Sequence, residues 1–266
     1  MNKITLVLLL SGILINVSMF GQFRPGDIGY NSAQFDAYKK NKVKTQTQIM
    51  RDEDSITTRV SITEFTEDGW LIRTTFDNGE PAYDEEPIDT MKDEYTYFPD
   101  GRIRIITMFG YDLFPMTLGF EYDKKDNLVT SIFASAESRE NTYEYDKSGT
   151  IIKRVGKSAR FEVDAEGNYL DKMIMVETDF STYSWDAKNR LTEELFSMNG
   201  EFYNRMVYSY NDKNQLTEMK AFYDTAPDAI PVFSTTYFYF DNGLPKNMIT
   251  IEDGFRVEHY YEYSFY

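Results

Sequence analysis

The stretch Tyr143-Glu144-Tyr145-Asp146-Lys147-Ser148-Gly149-Thr150-Ile151 decides the fold. Two aromatic residues spaced by two share one face of a β-strand, and the polar residue between them faces the other way. Asp opens a type I turn, and Gly at the fourth turn position tolerates the positive φ with which the chain rejoins the ladder. The stretch therefore predicts a β-hairpin with one buried face and one solvated face.

The same unit recurs along the chain, so the sequence is a series of degenerate hairpin repeats. Two further clear copies are Tyr95 to Ile103 and Phe120 to Leu128. Weaker copies are centred on Phe65, Val163, Trp185 and Tyr210, and a shortened one is Phe240-Asp241-Asn242-Gly243-Leu244. The fourth turn positions are all Gly, Asn or Asp, which enter the left-handed region at least cost: Gly69, Gly101, Asp126, Gly149, Gly167, Asn189 and Asn214.

A second set of turns must connect one unit to the next. Three are predicted to be tight, at Gly156-Lys157, Asn199-Gly200 and Asp253-Gly254, and three are long, over residues 78–90, 110–115 and 224–231. In an up-and-down meander the motif turns share one edge of the sheet, here named the motif edge, and the second set shares the other, here named the variable edge. Because binding residues concentrate on loops, recognition is expected at the variable edge.

These patterns predict one all-β domain over residues 43–266, a continuous antiparallel meander of about 16 to 18 short strands. A flat sheet of that size would leave its aromatic face in water. The sheet is therefore expected to curl into a barrel-like or wrapped shell, with a small β-propeller as the alternative. In the segment 22–42 ahead of it, Phe35 and Tyr38 are spaced as in a short amphipathic helix within residues 31–42, and residues 43–50 are expected to form the first strand.

Residues 1–21 have the order of a cleaved signal peptide. Lys3 precedes an apolar run from Ile4 to Val17, and the small residue Gly21 suits cleavage before Gln22. An uncleaved anchor helix is the alternative. The protein is accordingly expected to be exported, either periplasmic or secreted, from a Gram-negative bacterium.

Composition narrows the possible functions. The chain has no Cys, which excludes disulfides, Cys-based metal sites and thiol nucleophiles. Its formal net charge of −16 would repel nucleic acid and anionic membrane surfaces. No nucleic-acid partner is expected, and the aromatic rows are interpreted as core rather than as sugar-stacking platforms.

No catalytic, metal or cofactor site emerges from the residues, and no binding residue is assigned. His259 is the single histidine, so a structural or surface role is predicted for it rather than a triad or a zinc site. A solvated loop is predicted for the acidic stretch 77–94, with cation binding as the alternative, on the basis of Asp77, Glu80, Asp84, Glu85, Glu86, Asp89, Asp93 and Glu94. A carboxylate pair at glycosidase separation is the remaining catalytic alternative.

The copies resemble the YD repeat of bacterial Rhs-type proteins and of teneurins, in which Tyr-x-Tyr-Asp precedes a two-residue spacer, Gly and an apolar residue. The likeness covers roughly residues 62–244, although the copies here are irregular in length. It implies repeats wound into curved β-sheets that form shells for secretion, toxin encapsulation or adhesion. No catalytic residue comes with the resemblance.

The expected function is an exported, non-catalytic repeat scaffold or binding module of the cell envelope, with an unidentified protein or glycan as partner. A glycan-active enzyme that uses a carboxylate pair is the alternative. An outer-membrane β-barrel is less favoured, because Glu144, Glu162 and Glu193 fall on the predicted outer face. No stable membrane insertion is therefore expected.

Overall fold

The computed structural model describes residues 32–51, 57–76, 91–99, 102–109, 115–124, 128–134, 139–163, 169–226, 228–252 and 254–266. These residues contain one α-helix, α1 (Ser32–Lys40), inside the stretch for which the sequence predicts one. They also contain sixteen strands: β1 (Val43–Arg51), β2 (Thr57–Phe65), β3 (Leu71–Phe76), β4 (Lys92–Tyr97), β5 (Ile103–Phe109), β6 (Met116–Tyr122), β7 (Leu128–Ala134), β8 (Arg139–Tyr145), β9 (Ile151–Val163), β10 (Tyr169–Trp185), β11 (Leu191–Met198), β12 (Glu201–Tyr210), β13 (Leu216–Phe222), β14 (Phe233–Tyr239), β15 (Pro245–Glu252) and β16 (Phe255–Phe265).

The strands form one antiparallel meander that curls into a barrel. Each strand pairs with the next along the chain, and β1 pairs with β16 as well as with β2, so that the sheet closes on itself. The prediction of an all-β meander curled into a barrel-like shell is confirmed, and the strand number lies within the predicted range. In the described part of the chain no helix has the length and apolar character needed to cross a membrane.

The motif turns have the predicted chemistry wherever the structure describes them. Positive φ occurs at the fourth positions Gly69, Gly149, Asn189 and Asn214, and at Gly243 of the shortened copy. The opening Asp or Asn side chain accepts two hydrogen bonds from backbone amides across the turn. Asp146 accepts from the N–H groups of Ser148 at 2.8 Å and Thr150 at 3.0 Å, and Asp186 and Asn211 repeat the pattern. The fourth positions Gly101, Asp126 and Gly167 lie outside the described residues.

Two predicted turns are wrong: one of them is not a turn, and the other lies at the opposite edge of the sheet. Gly156-Lys157 is not a turn but lies inside β9. The copy at Val163 connects β9 to β10, so it falls on the variable edge, whereas the other seven copies fall on the motif edge. One cause explains both errors: β9 and β10 are 13 and 17 residues long, and they pair with each other beyond the point where pairing with β8 and β11 stops.

The motif-edge end of the barrel interior is filled by α1 and an apolar cluster. Ala37 and Tyr38 of the helix pack among buried residues contributed by many strands: Val43, Phe65, Leu71, Tyr95, Ile103, Ile106, Phe120 and Leu244. The Tyr38 hydroxyl donates to Gln46 Oε1 at 3.3 Å, and Gln46 Nε2 donates to the Tyr263 hydroxyl at 3.0 Å. The aromatic rows are therefore core, as predicted, and the helix closes this end.

The outer face of the barrel is polar. The residue between the two paired aromatic residues of a repeat is exposed in five copies, as the hairpin pattern predicts. These residues are Thr96, Glu121, Glu144, Ser184 and Ser209. Ion pairs also lie on the outer face, for example Lys153 with Glu144 at 3.1 Å and Lys220 with Glu218 at 2.9 Å. The barrel wall thus presents charge to its surroundings rather than a continuous apolar band.

Candidate functional site

Exposed apolar side chains occur at both edges of the barrel, and the larger group, with the two most exposed members, lies at the variable edge. Tyr223 is 63 % exposed, Ile230 86 % and Phe255 52 %. Met198, Phe202, Tyr203 and Ile251 are further exposed members of the same rim. They lie on three adjacent connections, β11–β12, β13–β14 and β15–β16, so they surround the part of the barrel mouth where binding was expected.

Below this rim, the barrel interior holds a charged cluster. The Arg154 guanidinium forms an ion pair with Asp179 Oδ1 at 2.9 Å, and both side chains are largely buried. Arg154 also donates to Asn141 Oδ1 at 2.7 Å and to Ser181 Oγ at 3.1 Å. These residues come from β8, β9 and β10, where Arg154 stands directly opposite both Tyr143 and Ser181.

Two local features of the sequence bring Asp179 into this cluster. Thr178 is an extra residue in β10, a β-bulge that changes the register between Glu177 and Asp179. Opposite Asp179 stands Gly156, where a Cβ atom would lie 2.5 Å from Asp179 Oδ1. The glycine therefore leaves room for a carboxylate, and the Thr178 hydroxyl donates to Asp179 Oδ2 at 2.9 Å.

Glu194 of β11 is the third charged member. Burial raises its pKa above the ordinary range, while the hydroxyl of Ser181 and the charge of Arg154 oppose the change. Tyr183 stands opposite Glu194 in the sheet, 7 % exposed. Its hydroxyl is buried beside Glu194 and Ser181.

Aromatic rings connect this cluster to the rim. The Arg154 guanidinium lies 5.7 Å from the ring centroid of Phe196, whose partner across the sheet is Ser181. Phe196 meets Tyr203 edge to face at 5.7 Å, and Tyr203 meets Tyr223 at 6.1 Å. A register shift after Phe196 makes Tyr203 an extra residue of β12. The rings thus lead from solvent to the buried ion pair.

An open pocket of about 390 Å³ adjoins the cluster where the β9–β10 hairpin passes the β11–β12 turn. It is lined by Lys153, Val155, Glu177, Thr178, Asp179, Phe180, Asn199 and Gly200. The Asn199 N–H donates to the Thr178 carbonyl oxygen at 2.8 Å, which holds the turn against the hairpin.

His259 is a buried residue of the barrel interior, which agrees with the structural alternative predicted for it. It is 2 % exposed, and its Nδ1 lies 3.0 Å from Gln48 Nε2. Because Gln48 Nε2 is a donor, Nδ1 accepts, which places the ring proton on Nε2. Burial lowers the pKa of His259 to about 4, so the ring is neutral near pH 7.

The acidic stretch 77–94 divides at the start of β4. Asp77, Glu80, Asp84, Glu85, Glu86 and Asp89 lie outside the described residues. Asp93 and Glu94 do not belong to a loop, because both are in β4: Asp93 is buried, and Glu94 lies 3.5 Å from Arg73 and 3.0 Å from Lys92. Within the part of the chain that the structure describes, no group of three or more His, Asp or Glu side chains could hold a metal ion.

Sequence reasoning named the variable edge as the expected place of recognition, but it named none of these residues. It assigned no role to Arg154, Asp179, Glu194, Tyr203 or Tyr223. One available signal was Gly156, because a glycine inside a strand pattern often marks a bulge or a close approach. In the sequence the other members look like ordinary strand residues. They come into contact only because β8, β9, β10, β11 and β12 pair with one another.

No protein-family model matches the sequence, and no curated protein matches it. Among solved structures, the chain is similar to a porin-like protein from Bacteroides uniformis, with 10% identity and a TM-score of 0.49 over 84% of this chain and 98% of that chain. It is also similar to a porin-like protein from Bacteroides vulgatus, with 12% identity and a TM-score of 0.46 over 84% of this chain and 98% of that one. A β-barrel-like protein of a domain of unknown function from Brucella abortus has 11% identity and a TM-score of 0.24 over 84% and 99%. At these scores, nothing about ligand or activity follows from the similarities.

Proposed function

We propose that this protein is an exported, non-catalytic binding module of the cell envelope that recognises its partner at the variable edge. The observation that carries the proposal is the cluster of exposed aromatic and aliphatic side chains on three adjacent connections there, with Tyr223 63 % and Phe255 52 % exposed. Clustered exposed apolar groups mark interaction sites more often than scattered ones do. The resemblance to YD repeats, which form shells in adhesion and secretion, points the same way.

The charges of the interior cluster favour binding over hydrolysis. A glycosidase needs one carboxylate free to act as nucleophile or base beside a protonated acid. Asp179 is instead held by Arg154 at 2.9 Å and by the Thr178 hydroxyl at 2.9 Å. Within this cluster, Glu194, with its raised pKa, therefore has no free carboxylate to act with.

The test is capture of envelope components by the mature protein. We expect specific partners to bind the unchanged protein and to be lost from the double variant Tyr223→Ser/Phe255→Ser. The matched control is Ile152→Ser, which removes a side chain 41 % exposed at the motif edge. Equal capture by all three proteins would refute recognition at the variable edge, and turnover of a polysaccharide by the purified protein would defeat the non-catalytic proposal.

A further inference from the structure

We infer that the barrel mouth binds a neutral saccharide, stacked on Phe196, Tyr203 and Tyr223 and hydrogen-bonded to the cluster around Arg154. This inference rests on the proposed function and names the ligand class for the same edge. It requires three properties of the site: apolar ring surface open to solvent, hydrogen-bonding groups of both kinds beneath it, and no net charge.

The rings supply the apolar surface. Tyr223 and Tyr203 keep 63 % and 49 % of their surface exposed, while Phe196 lies deeper, against Arg154. The ring centroids of Phe196 and Tyr203 are 5.7 Å apart, and those of Tyr203 and Tyr223 are 6.1 Å apart. The three rings therefore form a continuous aromatic path. Sugar rings present C–H faces that pack on aromatic faces, and Tyr adds a hydroxyl for the ligand's polar edge.

The cluster supplies donors and acceptors together. Arg154 offers guanidinium N–H groups, Glu194 and Asn141 offer oxygens, and Ser181 offers a hydroxyl that can do both. The Tyr183 hydroxyl, buried beside Glu194 and Ser181, adds a further group that can donate or accept. A ligand rich in hydroxyl groups would match this mixture of donors and acceptors.

The charges select an uncharged ligand. Arg154 is neutralised by Asp179 at 2.9 Å, and the raised pKa of Glu194 favours its neutral form. An anionic ligand would meet a chain with a net charge of −16. A cationic ligand would have to compete with Arg154 for the carboxylate of Asp179. A saccharide without charge avoids both penalties.

The test is titration calorimetry of the full mature protein with defined probes. The neutral probes are maltohexaose, cellohexaose, laminarihexaose and chitohexaose, and the charged probes are trigalacturonate and a lysine hexapeptide. We expect at least one neutral probe to bind. We expect Tyr203→Ala, Tyr223→Ala and Glu194→Ala each to weaken that binding about tenfold, because each removes a stacking or hydrogen-bonding group. Ile152→Ala, at the motif edge, should leave binding unchanged.

Thermal melting of each variant separates loss of binding from loss of fold, and the two exposed tyrosines are the variants least able to disturb the core. Failure of all four neutral probes overturns the saccharide inference, while capture of an envelope protein at the variable edge would leave the proposed function standing. Stronger binding of a charged probe, or binding insensitive to Tyr203→Ala and Tyr223→Ala, also overturns it. Release of reducing ends would uphold the site and overturn the non-catalytic function.

Discussion

Gly156 has no side chain, and this leaves space in the barrel interior for the carboxylate of Asp179. Its φ is not positive, so the glycine serves the close approach of Asp179 rather than a turn. We expect Gly156→Ala to reduce the free energy of unfolding by about 1 to 3 kcal/mol, as overpacking of a filled interior does. Urea denaturation measures this.

The cause of that loss is testable in a double-mutant cycle. If the new Cβ clashes with the Asp179 carboxylate, Gly156→Ala should be much less damaging in an Asp179→Ala background, where the carboxylate is absent. An equal loss in both backgrounds would mean that Asp179 is not the reason for the glycine.

His259 should make stability depend on pH. Its pKa is about 4 in the folded chain against 6.5 ordinarily, so between these values the unfolded chain binds more protons and stability falls as pH falls. The contribution of the neutral His259 to the free energy of unfolding is roughly 3 kcal/mol. It is fully present above pH 6.5 and is lost as the pH falls towards 4.

The measurement is the difference in urea stability between the unchanged protein and His259→Gln across this window. Glu194, whose pKa is raised, acts in the opposite sense, and the comparison cancels it because both proteins keep that residue. A difference that does not change with pH would contradict a neutral, buried histidine.

At the scale of elements, α1 is fastened to the barrel by Tyr38. This ring is 6 % exposed and lies 4.7 Å from the ring of Phe65. We expect Tyr38→Ala to lower the free energy of unfolding by about 3 to 5 kcal/mol through the cavity it leaves. Tyr38→Phe, which keeps the ring and removes the hydroxyl that donates to Gln46, should cost no more than about 1 kcal/mol. Thermal denaturation should rank the two variants, and equal losses would mean that ring packing does not hold the helix.

The elements are also where sequence reasoning succeeded and failed. Turn chemistry is local, so the turns at Gly69, Gly149, Asn189 and Asn214 were predictable from a few neighbouring residues. Gly156 was misassigned because a glycine inside a strand and a glycine in a turn look alike until the cross-strand partner is known. The site was out of reach for the same reason, since Arg154 and Phe196 meet only after β9, β10 and β11 pair.

For the whole molecule, the pairing of β1 with β16 can be tested by a new disulfide. Thr45 Oγ1 and Ser264 Oγ lie 2.7 Å apart across this seam, and the chain has no native Cys. The oxidised variant Thr45→Cys/Ser264→Cys should lose both free thiols, as counted with a thiol reagent. The control Thr45→Cys/Thr236→Cys should keep both, because Thr236 lies on β14, away from β1. Free thiols in the first variant would indicate an open seam.

The polar outer wall of the barrel predicts whether the protein is recovered in the soluble fraction or with membranes. With ion pairs such as Lys153–Glu144 and Lys220–Glu218 on that wall, transfer into hydrocarbon would be costly. We expect the mature protein in the soluble fraction of cells fractionated without detergent. Strict recovery with membranes would contradict the proposal that it is not stably inserted.

The seam between β1 and β16 also determines how the chain must fold. Among the described strands, every other pairing joins neighbours along the sequence, whereas Thr45 and Ser264 are 219 positions apart. Local hairpins can form early and independently, but bringing these two ends together costs about 5 kcal/mol in loop entropy before any seam contact forms. A contact between residues so far apart in the sequence forms slowly, because the loop entropy is lost before the contact is gained. A nascent barrel therefore passes through an unclosed sheet with two unpaired edges, the stage at which it is most exposed to aggregation and most dependent on chaperones.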